Sequence, residues 1–126
     1  MSTMFLLFSH KLTNEQIASA KKDLNCENLV YLPRELQNLW SNIPATEQDY
    51  EHLIHFENFI FKNYKEGDYA LIQGDWGYTY HMINFCKKIG VIPIYSTTER
   101  NSREVFNQDG SVSKISLFKH VIYKRY

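Results

Sequence analysis

The chain has no excess charge, almost no cysteine and no long apolar run, and each absence narrows what it can be. Lysine plus arginine total 14 and aspartate plus glutamate total 14, so the formal net charge is zero over 126 residues. Proteins that coat duplex DNA or RNA draw affinity from many phosphate contacts. A zero balance argues against that class, yet it leaves room for one small phosphate ligand held by local groups. Cys26 and Cys86 are the only cysteines. Cys86 falls in an expected helix among apolar residues, and Cys26 in a polar connection. With no Cys-x-x-Cys pair and no secretory signal, two free thiols in a reducing cytosol is the simplest reading. Met4 to Phe8 is too short for a signal core or a membrane span, and no other run approaches one, so a cytoplasmic protein with no membrane partner is expected. There is no internal repeat or low-complexity segment. Also missing are a Walker-type Gly-Lys-Ser, a full Gly-x-Gly-x-x-Gly and a Gly-x-Ser-x-Gly elbow.

What is present reads as one globular α/β domain over residues 1–126. Hydrophobic residues make up 44% and aromatic residues 15% of the chain, enough for a packed core. Met4-Phe5-Leu6-Leu7-Phe8 resembles a buried central strand. Thr13 and Gln16 form a capping box, with Leu12 and Ile17 placed as a hydrophobic staple, for a helix running to about Leu24. Leu29 to Leu32 is a second strand stopped by Pro33, which opens a short helix to Trp40. A longer helix is expected from about Glu47 to Tyr64. Tyr50, Leu53, Ile54, Ile60, Phe61 and Tyr64 share one face of it, and Phe56 and Phe59 widen that face. The stripe is either core alone or core with one flank against a partner subunit. Tyr69 to Gln73 is a third strand and Gly77 to Ile89 a helix, with Lys87, Lys88 and Gly90 suited to its C-terminal end. Val91 to Ser96 is a fourth strand. Strand-helix units in sequence imply a mainly parallel sheet with right-handed crossovers. In the tail, Asp109-Gly110 marks a hairpin that extends the sheet in antiparallel sense, with the apolar parity shifting near Phe118.

Ligands of open parallel sheets bind beyond the carboxyl ends of the strands. Three strand ends here carry polar clusters. Ser9, His10 and Lys11 follow the first. Gln73, Gly74, Asp75, Trp76 and Gly77 follow the third, where glycines allow close backbone approach and a helix N-terminus offers unpaired N–H groups. Ser96, Thr97, Thr98, Glu99, Arg100, Ser102 and Arg103 follow the fourth. Arginine gives bidentate contacts to phosphate, Trp76 is able to stack on a base, and Gln73 or Asp75 accepts from base or ribose donors. Each feature also has a plain structural reading. The Gly-x-x-Gly corner alone is weak, Thr97-Thr98 continues a strand, His10 bonds the backbone, and Asp75 caps the next helix. Together, at three successive strand ends, they favour a nucleotide-like ligand. His52 and His55 lie three residues apart with no third ligand nearby in sequence, which favours solvated histidines over a metal pair. His120 is either structural or catalytic.

Several blocks also resemble a known family. These are Phe5-Leu6-Leu7-Phe8-Ser9-His10-Lys11-Leu12-Thr13, Tyr31-Leu32-Pro33 with Leu39-Trp40-Ser41-Asn42-Ile43-Pro44, Gly67-Asp68-Tyr69 leading into Ile72-Gln73-Gly74-Asp75, and Pro93-Ile94-Tyr95-Ser96-Thr97-Thr98-Glu99-Arg100. In order and spacing they are similar to small CRISPR-associated proteins of the Csx class, and the likeness extends to Asp109-Gly110 and Phe118-Lys119-His120. The resemblance implies a Rossmann-like, CARF-like fold, and a ring nuclease of type III CRISPR systems that cleaves a cyclic oligoadenylate messenger, cyclic tetra-adenylate first among them. It implies a homodimer around the two-fold ring and a mechanism without metal or cofactor, in which a ribose 2′-OH attacks its own 3′-phosphodiester. The ligand-binding candidates are Ser9, His10, Gln73, Gly74, Asp75, Trp76, Gly77, Thr97, Thr98 and Arg100. Within that set, His10 is a general acid or base, Arg100 stabilises the phosphorane charge, and Asp75 orients His10 or a ribose hydroxyl. Two alternatives remain: a non-catalytic sensor or sponge for the same messenger, and a metal-dependent phosphodiesterase using Asp75 and histidines. Asn101 to Glu104 is a candidate lid.

Overall fold

The computed structural model describes residues 1–126. Its elements are β1 (Ser2–Leu7), α1 (Asn14–Leu24), β2 (Cys26–Tyr31), α2 (Arg34–Ser41), α3 (Leu53–Asn63), β3 (Tyr69–Ile72), α4 (Trp76–Ile89), β4 (Ile92–Phe106) and β5 (Val112–Arg125). One five-stranded sheet runs in the order β2-β1-β3-β4-β5. β1 pairs in parallel with β2 and β3, β3 with β4, and only β5 is antiparallel. The expected α/β sheet with an antiparallel C-terminal extension is therefore the architecture found.

Alternation along β1 sorts the core into two layers, because successive strand residues face opposite sides. Phe5 and Leu7, with Ala70 and Ile72 of β3, pack against Trp40 of α2, Phe56 and Ile60 of α3, and Tyr78, Met82 and Cys86 of α4. Met4 and Leu6, with Leu71 and Ile94, pack against Leu12 and Ala20 at α1. β1 and β3 are fully buried at their centres, which is why they read as continuous apolar runs.

Local signals set the helix ends. Thr13 accepts from the Gln16 amide and Gln16 returns the bond to the Thr13 N–H, so the capping box of α1 is complete, while Asn25 closes it in the left-handed region. Ile17 of the expected staple is exposed. Gly90 at φ 86° ends α4, a conformation glycine adopts without the steric cost of a Cβ.

Five expectations are corrected. The helix after Pro44 begins at Leu53, not near Glu47. Tyr50 has φ 50°, a left-handed conformation that an α-helix cannot pass through. The centre of the α3 stripe is Phe56 and Ile60, whereas Ile54 and Phe61 are 52% and 61% exposed. Cys26 is not in a polar connection but opens β2, buried beneath α1. Burial raises the Cys26 thiol to about 11 and the Cys86 thiol to about 12, so both stay protonated and poorly nucleophilic. The largest correction is β4, which continues past Ser96 to Phe106 and pairs with β5 along its whole length. The two form a ribbon that leaves the sheet, with nearly every residue from Thr98 to Lys119 exposed or half-exposed. The expected lid at Asn101 to Glu104 is paired strand.

The parity shift near Phe118 has a matching cause. Ser96 pairs with Tyr123 and Thr98 with His120, so Val121 and Ile122 oppose Thr97 alone. Two residues facing one is a β-bulge, and it re-aims the side chains beyond it. Thr97 Oγ1 spans the bulge, donating to the Ile122 carbonyl and accepting from the Ile122 N–H.

Candidate functional site

The order β2-β1-β3 means that the chain reverses direction across the sheet between β1 and β3, and ligand crevices open at such a switch point. The carboxyl ends there are tied together. The Gln73 N–H donates to the Leu7 carbonyl at 3.0 Å, and Gln73 Oε1 accepts from the Ser96 N–H at 3.0 Å. Gln73 therefore links the ends of β1, β3 and β4 with its own backbone and side chain.

Beside the end of β1 a cavity of about 350 Å³ is lined by Ser9, His10, Lys11, Tyr31, Leu32 and Gln37. The His10 ring stands edge-on to Phe8 at 5.5 Å. Gln37, from α2, donates to the Phe8 carbonyl at 2.6 Å and leaves its Oε1 buried without a partner. Sequence reasoning missed Gln37, because nothing in the α2 pattern separates a glutamine that faces a strand end from one that faces water.

The corner after β3 is packed from inside. A Cβ at Gly74 would lie 2.6 Å from Trp40 Nε1, and that Nε1 donates to the Gln73 carbonyl at 3.1 Å. A Cβ at Gly77 would collide with the Tyr50 hydroxyl. Tyr50 in turn lies against Tyr78 and His81, with ring centroids 5.3 and 4.5 Å away. Both glycines make room for aromatic rings of this same chain. Asp75 is the N-cap of α4 and accepts from the Tyr78 N–H at 3.1 Å, the usual arrangement for a helix-capping carboxylate. Trp76 is different. It is the first residue of α4 and is 92% exposed, with Tyr80 one turn on at 62%.

The third cluster divides. Ser96 is buried at the base of the ribbon, and Thr97 holds the bulge. Arg100 lies on the exposed ribbon, where it donates to Ser116 Oγ at 3.2 Å and its guanidinium carbon sits 5.7 Å from the centre of the Phe118 ring. Thr98 pairs with His120 across the ribbon.

The same pairing brings together a group of residues that no motif announced. His120 Nδ1 and Ser96 Oγ are 2.6 Å apart. Gln16 Nε2 donates to Ser96 Oγ at 3.4 Å, and Tyr123, whose ring lies 4.6 Å from that of His120, donates to the Gln16 carbonyl at 2.9 Å. Nε2 of His120 is buried with no partner. A cavity of about 340 Å³ opens here between α1 and the ribbon, and Thr13, Gln16, Asn101, Phe118, Lys119 and His120 are among its lining. Burial holds the His120 imidazole below its ordinary range, opposed by the carboxylates of Glu15 and Asp23, so the ring is neutral near pH 7. The connection from β1 to α1 borders both cavities, through Ser9 to Lys11 on one side and Thr13 on the other. His120 and Ser96 were visible in the sequence, but 24 residues and a hairpin separate them, and only the register makes them neighbours.

His52 and His55 stack at 6.1 Å, and no group of three His, Cys, Asp or Glu side chains gathers as metal ligands. No helix is long and apolar enough to cross a membrane.

A family model described as the uncharacterized protein MJ1673 family matches residues 2–124. The chain is also similar to the uncharacterized protein MJ1673 of Methanocaldococcus jannaschii, 47% identical over 127 residues that cover 100% of this chain and 98% of that protein. The chain belongs to the MJ1673 family. No solved structure matches it.

Proposed function

We propose that this member of the MJ1673 family is a ring nuclease that binds and cleaves cyclic oligoadenylate, with cyclic tetra-adenylate as substrate, and so switches off type III CRISPR signalling. The observation that carries the reading is the open polar edge at the β1–β3 switch point, where an exposed tryptophan stands beside laced strand ends. Trp76 is 92% exposed, and stacking of a base on its ring would cover that surface on ligand binding. Ser9, His10 and Lys11 line a cavity at the same edge and supply hydroxyl, imidazole and ammonium groups to a phosphodiester. The resemblance of the Phe5–Thr13 and Pro93–Arg100 blocks to small Csx-class proteins supports the same substrate.

The chemistry asks little of the protein beyond geometry and charge. The nucleophile is the substrate's own 2′-OH, and rate comes from holding it in line with the 3′-phosphodiester. A chain of zero net charge suffices, because only the pocket need be positive. Two copies around a two-fold ring double the site, and the exposed Ile54 and Phe61 of α3 offer apolar surface for that contact. In this reading Gln73, Gly74, Gly77 and Asp75 build the wall, Trp76 meets base, and His10 and Lys11 meet phosphate. Thr97, Thr98 and Arg100 enter from the ribbon.

Incubation with labelled cyclic tetra-adenylate, with and without chelator, tests it. Linear products ending in 2′,3′-cyclic phosphate are expected in chelator. An intact ring that comigrates with protein would make the chain a sensor or sponge, and activity lost in chelator would make it a metal-dependent phosphodiesterase. A ring neither bound nor broken would overturn the assignment.

A further inference from the structure

We propose that His120, held by Ser96 in the cavity between α1 and the ribbon, is the general base of this phosphodiester cleavage, with Lys119 beside it for the phosphate. The inference rests on the ring-nuclease reading and adds a residue and a cavity to it.

Three observations converge. First, Ser96 fixes the ring: its Oγ is 2.6 Å from Nδ1, it is itself buried, and it is held in turn by Gln16 Nε2 and by Gln73 Oε1 through its N–H. A histidine held at one nitrogen by a hydroxyl, which both donates and accepts, has two tautomers open to it, and one of them leaves Nε2 as an acceptor. With Nδ1–H donating to Ser96 Oγ, Nε2 carries the lone pair. Second, that Nε2 is buried and unpartnered. An orphaned polar atom costs folding free energy that a bound hydroxyl would recover, so a purely structural histidine leaves this cost unexplained. Third, His120 borders a cavity whose rim holds a cation, Lys119, and neutral donors, Thr13 and Asn101. Glu15 and Lys119 on this rim are both exposed to solvent.

The step balances without any further reactant. Nε2 takes the proton of the ribose 2′-OH as the 2′ oxygen bonds to phosphorus. The P–O5′ bond breaks, the 5′ oxygen takes a proton from solvent, and the products are a 2′,3′-cyclic phosphate and a free 5′-OH. His120 then returns its proton to solvent. The neutral ring that burial favours is the form required of a base.

The test compares wild type, His120→Gln and His120→Ala in chelator, reading equilibrium binding of labelled cyclic tetra-adenylate and its single-turnover cleavage separately. Loss of a general base lowers cleavage by about 100-fold or more while leaving binding within about threefold, and added imidazole restores turnover to His120→Ala. Cleavage by His120→Gln within about threefold of wild type overturns the assignment. If wild type itself does not cleave, the ring-nuclease reading fails first, and the site is tested by nitrogen-15 NMR of the histidine rings during titration with adenosine 3′-monophosphate. A saturable shift of the His120 ring, weakened in the exposed-site variant Lys119→Ala, retains the cavity as a nucleotide site. No shift removes it. Should His120→Gln not fold, Lys119→Ala carries the cleavage and binding assays, with weaker binding expected and wild-type behaviour counting against the site.

Discussion

The β3–α4 corner and the base of the β4–β5 ribbon sit at the same end of one sheet and use their polar groups in opposite ways. At the corner, Gly74, Asp75 and Gly77 look like a ligand cradle, yet each is committed to the fold: the glycines clear Trp40 and Tyr50, and the carboxylate caps α4. At the ribbon base no motif is visible, yet a buried imidazole nitrogen is left without a partner beside a cavity. The contrast shows that glycine spacing measures how closely something approaches the backbone, not what approaches. Unmet hydrogen-bonding capacity is the better pointer to a ligand.

If the corner is structural, changes there should cost stability. Trp40→Ala removes a buried ring that contacts Phe56 and the corner, and should lower unfolding free energy by about 3–5 kcal/mol in urea titration. Gly77→Ala forces a methyl into the Tyr50 ring and should cost about 1–3 kcal/mol in the same assay. A neutral result would reopen Gly77 as a ligand-approach residue. Asp75→Ala removes the cap at about 1 kcal/mol. Asp75→Asn keeps an acceptor there and should be nearly neutral, so lost ring cleavage in that variant would give Asp75 a ligand role as well.

At the ribbon base the signature is pH dependence. His120 has a folded-state value below the 6.5 of the free side chain, so the unfolded chain binds the proton more readily. The stability it contributes is present above about pH 6.5 and is lost as pH falls through the folded value. His120→Gln should flatten the acid limb of urea midpoints measured from about pH 7.5 to 5 relative to wild type. An unchanged limb would mean that the ring is more solvated than its environment indicates. The smallest stability change is expected at Trp76→Ala, within about 0.5 kcal/mol because the ring touches little. The same variant should weaken binding of cyclic tetra-adenylate by about tenfold. Normal binding would leave the exposed ring unexplained.

How much of this was legible beforehand follows the range of the interactions. The α1 capping box, Gly90 at the end of α4, the Pro33 start of α2 and the Asp109-Gly110 turn all depend on residues within a few positions of one another, and all stand where the pattern put them. The long apolar stripe after Pro44 reads as one helix because its periodicity looks continuous, and a single left-handed residue, Tyr50, interrupts it. β4 was cut short because Thr97 to Glu104 is polar on both sides, and a strand that leaves the core has no buried face to impose alternation. Ser9, His10 and the Gln73–Gly77 corner are legible in the sequence as strand-end residues, while the strand order that makes their edge a switch point, the approach of Gln37 and the Ser96–His120 pair are not.

By itself, then, the chain's sequence determined the order and type of its elements and the polar character of its strand ends, because short-range hydrogen bonds and apolar periodicity are written locally. Only the tertiary structure decided that Trp40 and Tyr50 fill the spaces left by Gly74 and Gly77, and that a bulge at Val121 and Ile122 sets His120 against Ser96. Those contacts join residues from separate elements. Their partners are chosen by strand register and packing, which no window along the chain contains.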